Sequence, residues 1–440
     1  MDPIGFLIAF LVVVALGTLV GAATGLSPGL HVNNVAALML AAHASWASFV
    51  GSLAPEMAKD PVAVGVLLAC FLLATAAAHG VFDFIPSVFF GAPSEETALG
   101  ILPGHRMLLA GRGSLAVALA ARGAVLGALA SAALLLPLRL VLSDPLHVYE
   151  TFRPHTSEFL AALLFTLIAF EARGGRGRLG RIGRTALVQG LAGILGVSVL
   201  RGASGVEPDA ALFPLFSGLF GMPGLLAAAI DPPSTWEPQR IEPLPRLSRW
   251  EAVQAVRGSA AGAAVSWLPG LSGGAAAALA TLGSRRTRPE AFMVLLGATG
   301  TATSILSVSV LFMIGRARSG VAAAVEGLLG PEATWTSFPD VPASLVLPLL
   351  AGILGAAFAA PAAVWVARAI ASRWSRLDPR WLARGALALL LVLIAALTGP
   401  AGLLIAGLAT LVGSVPVRVG VARVHLMASL LVPALVAVQN

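Results

Sequence analysis

Residues 21–38 read GAATGLSPGLHVNNVAAL, and residues 262–279 read GAAVSWLPGLSGGAAAAL. The two align without a gap: Pro28 falls opposite Pro269, and Gly-Ala-Ala, Pro-Gly-Leu and Ala-Ala-Leu coincide. Each lies in a strongly apolar region, where a Pro-Gly pair with polar neighbours does not suit a plain lipid-facing helix. Proline removes a backbone donor and clashes with the preceding turn, so each pair ends one helix and lets another begin. The new helix opens with N–H groups that lack intrahelical partners and with the positive end of its dipole. At membrane depth such backbone is tolerated only when buried in protein or lining a wet cavity. Helix N-termini favour anions, so two facing breaks make a central site for a negatively charged group. Ser27, Pro28, Gly29, His31, Asn33 and Asn34 form one side; Pro269, Gly270, Ser272, Gly273 and Gly274 form the other. The competing reading is a pair of proline kinks packed by small residues.

The membrane setting follows from composition. The 440 residues are 58% hydrophobic and 11% charged, with mean hydropathy +0.90; soluble domains carry about 25% charged residues. Apolar runs long enough to cross a hydrocarbon core recur, among them Ile4–Leu26, Val62–Ala78, Leu115–Leu138, Leu345–Ala367 and Ala386–Leu411. They are continuous and Ala/Leu/Val-rich, unlike the alternating strands of an outer-membrane barrel. Ile4–Leu26 lacks a basic leader and reads as a first span. The fold class expected is an all-α polytopic membrane protein. The lone cysteine, Cys70, excludes an internal disulfide framework and a Cys-based metal site.

Net charge is +7 and pI about 11.1, but the arginines concentrate in two stretches, 172–184 and 368–384, between apolar runs. That is the positive-inside pattern, which places both loops in the cytoplasm of a cell-membrane protein and argues against nucleic acid as a partner.

Interrupted hydrophobic segments at matching places in two halves point to a transporter's binding site. The expected organisation is an N-terminal membrane repeat, 1–200, and a C-terminal repeat, 251–440, with inversion favoured. Residues 201–250 connect them through a hydrophobic hairpin and a polar, proline-rich linker. A weaker echo pairs GRGSLAVALA from Gly111 with GRARSGVAAA from Gly315. Between the breaks, FDFIPSVFFGAPSEETALGILPGHRMLLAGRG (82–113) brings charge into apolar sequence. Ionisable groups there are costly and functional by default. Asp83 ranks first as a proton or sodium carrier, against an interfacial helix cap; His105 and Arg106 are candidate anion contacts, against a solvated loop. Arg122 reads as snorkelling to the headgroups.

These stretches, with ALFPLFSGLFGMPGLL (211–226) and the closing VGSVPVRVGVARVHLMASLLVPAL, resemble the membrane permease (TctA) family of the tripartite tricarboxylate transporters, most of all its shorter archaeal members. The resemblance runs from end to end. It implies an integral membrane subunit with repeated halves and a central carboxylate site. In bacterial systems a small membrane subunit and an extracytoplasmic solute-binding protein assist it. Carried over by position, Pro28, Gly29, Asn33 and Asn34 fall on the family's first Pro-Gly loop. Pro269, Gly270, Ser272, Gly273 and Gly274 fall on the second, and Pro93, Thr97, Ala98 and Gly104 in the block between. Glu95 and Glu96 depart from the small residues of the bacterial block, which is electrostatically unhelpful to a tricarboxylate.

The leading expectation is therefore a secondary-active transporter of small organic anions, using no cofactor beyond a coupling H+ or Na+. The alternative is a polyprenyl-phosphate translocase, because PGLSGG (269–274) also resembles the loop of such lipid carriers. A membrane enzyme is disfavoured: there is no HExxH and no closely spaced His/Asp metal cluster among the seven histidines.

Overall fold

A computed structural model describes residues 3–27, 32–41, 43–53, 60–91, 97, 101–172, 178–201, 205–230, 237–244, 246–268, 271–281, 288–374 and 379–439. Regular structure among them is entirely helical. Helix α1 (Pro3–Leu26) stops just before the first Pro-Gly pair, α2 (Val32–Ala41) begins beyond it, and α3 (His43–Leu53) follows. Helix α4 (Pro61–Phe82) is started by Asp60, whose Oδ1 accepts from the Val62 and Ala63 amides at 3.0 and 3.3 Å. Pro61 takes the first position, where its missing N–H costs nothing. Asp83 separates α4 from α5 (Phe84–Phe90), which Gly91 closes in the left-handed region at φ 60°.

Then come α6 (Ile101–Leu109), α7 (Gly113–Leu142), α8 (Val148–Phe152), α9 (Thr156–Ala172) and α10 (Arg178–Leu200). Helix α10 begins at Arg178, so Arg178, Arg181 and Arg184 lie on its first two turns rather than in a loop. Helix α11 (Pro208–Phe216) runs through a π-helical turn, Ser217–Gly221, straight into α12 (Met222–Ile230). The expected hydrophobic hairpin is therefore one irregular span. Pro214 lies in α11 and Pro223 in α12, on either side of the π turn.

A capping box between Ser248 and Glu251 starts α13 (Arg249–Val265). Helix α14 (Gly273–Thr281) follows the second Pro-Gly pair, succeeded by α15 (Pro289–Ile314), α16 (Gly320–Leu329), α17 (Ala343–Trp374), α18 (Pro379–Val419) and α19 (Ala428–Gln439). Helix α18 is broken within its length at Gly399, φ 64°, just before Pro400. The weaker echo at Gly111 and Gly315 joins unlike elements, since it sets the start of the 30-residue α7 against the short α16.

Among the described residues, eight helical stretches are long and apolar enough to span a membrane, including Pro61–Phe90, Ala210–Ala227 and Ala383–Val419. The protein is a multi-pass membrane protein. Its centre is α4 and α15, buried almost throughout. Helix α1 packs along α4, and α13 packs along α15; α7 crosses to α15 and α17 crosses to α4, so the two parts interlock.

Small residues permit this closeness. Gly17 and Gly21 of α1 lie against the carbonyls of Phe71 and Thr75, so an added methyl would collide with α4 backbone. Gly258 and Gly262 of α13 meet Leu295 and Thr299 of α15 in the same way. The offset relating these glycines is the one that aligns the two Pro-Gly-Leu segments. The carbonyls they meet are related by a different offset, 224 residues from α4 to α15, and that offset sets His79 against Thr303 and Asp83 against Ser307. Arg122 of α7 does not snorkel. It donates to Glu251 of α13 at 2.7 Å in a largely buried ion pair, because a carboxylate 129 residues away in sequence is brought against it.

Candidate functional site

The half-helices that follow the two breaks reach one cavity of about 570 Å3. Val32 and Asn33, the first residues of α2, line it together with Leu271, Ser272 and Gly273 at the start of α14. Ser272 is the N-cap of α14: its Oγ accepts from the Ala275 amide at 3.2 Å. The cap leaves the first amides of α14 and its positive dipole end beside the cavity.

Helix α15 supplies Thr303, Ser304 and Ser307. Ser307 Oγ donates to the Ser304 carbonyl at 2.9 Å and lies 3.4 Å from Ser319 Oγ. Thr303 is 4% exposed, and its hydroxyl is buried with no hydrogen-bond partner among the described residues. A methyl placed on Gly273 would come within 3.6 Å of that oxygen, so the orphan hydroxyl sits at the mouth of α14. A buried hydroxyl without a partner is costly, which makes it an open valence for a ligand.

Two cations line the cavity, Arg201 at the end of α10 and Arg318 just before α16, and the described lining contains no Asp or Glu. Arg318 donates to the carbonyls of Val265 and Leu271, the latter at 2.6 Å. It therefore ties the end of α13 to the residue before the α14 cap, bridging the second break. Beside it, Ser319 caps α16 and Gly320 lies under the Asn33 carboxamide, whose Cγ would be 2.7 Å from an added methyl.

Of the residues expected at the site, the structure brings together Asn33, Ser272 and Gly273. Gly274 follows, buried in the first turn of α14. Pro28, Gly29, His31, Pro93, Glu95, Glu96, Pro269 and Gly270 lie outside the described residues, as does the side chain of Asn34. Ser27 is turned back onto α1, donating to the Ala23 carbonyl at 2.9 Å. Residues 25–29 and 270–274 both spell Gly-x-Ser-x-Gly, a pattern that reads as a hydrolase signature in the right context. That context is a strand-to-helix elbow; the described residues contain no strand, and Ser272 is occupied as a cap.

Asp83 is 6% exposed at the junction of α4 and α5, and its Oδ2 accepts from Thr97 Oγ1 at 3.0 Å. It makes no side-chain cap to α5. One turn earlier, His79 Nδ1 lies 3.1 Å from Thr24 Oγ1 of α1. Neither Asp83 nor His79 lines the cavity, although Ala76 on the same helix does. His105 and Arg106 stand apart on α6: Arg106 is exposed, and His105 is hydrogen-bonded to the Val88 backbone. Burial pushes the His105 imidazole below its ordinary value, with the Val88 bond opposing, so it carries little positive charge for an anion.

Arg201, Arg318 and Thr303 were not identifiable as a group from the sequence: Arg201 lies 102 residues before Thr303 and 117 before Arg318, and packing alone brings it to them. The available signal was Arg318 itself, a cation between two apolar helices in GRARSG.

Comparison with known proteins agrees with this architecture. The pattern of the Tripartite tricarboxylate transporter TctA family matches residues 11–428. An uncharacterized protein of Methanocaldococcus jannaschii is 28% identical over 316 residues, covering 71% of each chain. No solved structure matches. With nearly the whole length matched, the chain belongs to the tripartite tricarboxylate transporter TctA family, and is a membrane transporter rather than an enzyme.

Proposed function

We propose that this permease is secondary-active and binds the carboxylate of a small organic anion between the N-terminal ends of α2 and α14. The observation that carries the reading is the single cavity into which both half-helices open, lined by two arginines and no described acid. Helix N-termini, serine and threonine hydroxyls, the Asn33 amide and the Arg318 guanidinium are all donors suited to a carboxylate. The shared glycine register of α1–α4 and α13–α15 supports two repeated halves, which we take to be inverted.

A cation gradient drives uptake in this reading, with Asp83 as the coupling group. Its support is burial at the α4–α5 junction and its register match with Ser307, a residue of the cavity wall. The family's tripartite organisation supports a small membrane subunit and a solute-binding protein as partners. The arginine-rich ends of α10, α17 and α18 support a cell-membrane orientation with these ends cytoplasmic.

The test is equilibrium binding of carboxylates to purified protein and to Arg318→Lys. Lysine keeps the charge but cannot fork between two carbonyls. Affinity for any bound carboxylate should fall roughly tenfold, the loss of about one charge-assisted hydrogen bond. Equal affinity in both proteins would remove Arg318 from the site.

A further inference from the structure

We propose that the ligand of this cavity is an amphipathic carboxylate, one anionic head on an apolar body, rather than a compact polyanion. The inference rests on the anion-binding reading above and adds the substrate class.

The cavity has two unlike walls. One, where α2, α14, α15 and the Arg318–Gly320 turn converge, carries Asn33, Ser272, Thr303, Ser304, Ser307 and Ser319 beside apolar Val32 and Leu271. The other comes from α10, α11 and α19 and presents Leu200, Leu212, Leu430, Pro433, Ala434 and Ala437. The two cations differ as well. Arg318 is half-buried and held in place by two carbonyls, whereas Arg201 is exposed and its charge is weakened by water and salt. One fixed cation, one orphan hydroxyl on Thr303 and one capped helix end make a receptor for a single anionic group.

A tricarboxylate held there would turn further carboxylates toward leucine and proline, losing hydration without gaining partners. An aliphatic or aromatic body gains instead, by roughly three- to fourfold in affinity for each methylene buried. The volume of about 570 Å3 has room for a head and a body together.

The test is equilibrium binding of acetate, butyrate, hexanoate, phenylacetate, citrate and geranyl phosphate to the purified full chain in nanodiscs. The series is repeated on Leu430→Asn, with Leu212→Asn as a second variant should the first fail to fold. Affinity should rise roughly tenfold from butyrate to hexanoate, and hexanoate should bind more tightly than citrate. The asparagine variants should lose most of that chain-length dependence while holding acetate, which has no body to bury, to within about twofold. Citrate binding more tightly than hexanoate, or a flat chain-length series, overturns the amphipathic ligand and leaves the anion site standing. Geranyl phosphate bound with no carboxylate bound overturns it in favour of a lipid-phosphate head. No anion of any kind bound removes both this inference and the reading beneath it.

Discussion

Replacing Thr303 by valine tests the site through two effects of opposite sign. The residue is nearly isosteric with threonine, so packing of α15 against α13 is kept. The hydroxyl it removes is buried and unpartnered, a condition that costs about 1–3 kcal/mol in the ligand-free protein. Thr303→Val should therefore leave the ligand-free protein as stable as wild type or more so. The same hydroxyl beside Gly273 would donate to a bound carboxylate, a charge-assisted bond of about 1.5–3 kcal/mol. Its loss should weaken binding roughly tenfold to hundredfold. Both quantities come from thermal unfolding of the same samples with and without a saturating carboxylate, since a ligand stabilises the fold by mass action. A purely structural threonine would give a lower melting temperature and an unchanged ligand-induced shift. That pair of results would refute the assignment.

Asp83→Asn should fold and exchange labelled substrate across proteoliposomes, yet fail to accumulate it against a gradient; gradient-driven accumulation at the wild-type level would dismiss Asp83 as the coupling group. In a Cys70→Ala background, Arg178→Cys and Arg373→Cys should both resist a membrane-impermeant thiol reagent in whole cells, and labelling of either from outside would break the proposed orientation. His105, held below its ordinary value by burial on α6, which is not among the spans, binds fewer protons folded than unfolded. Stability should therefore be lost as pH falls below about 6.5 toward the folded value. His105→Gln should flatten that fall in a melting series, and parallel curves would deny His105 its part in it.

The breaks at residues 28 and 269 were legible because proline and glycine act locally, and a repeated pattern in apolar sequence has few other causes. Asn33, Ser272 and Gly273 followed from them, lying within a turn of each break. Thr303 and Arg318 did not, because their roles depend on which helix lies opposite. A threonine in the apolar run of α15 looks like any other until its hydroxyl is found without a partner. Arg122 failed for the same reason, its partner Glu251 being supplied by tertiary contact. The supposed hairpin at 201–250 failed differently. An apolar stretch was expected to fold back on itself there, whereas α11 continues through a π turn into α12.

The claim at the centre is that both half-helices serve one anion. Single cysteines at Asn33 and at Ser272, each in the Cys70→Ala background, allow it to be measured directly as the rate of alkylation with increasing carboxylate. The account predicts that the same anion slows modification at both positions, with half-protection in each variant at that variant's own dissociation constant. Protection at one position and none at the other, with binding intact in both variants, would contradict a shared site.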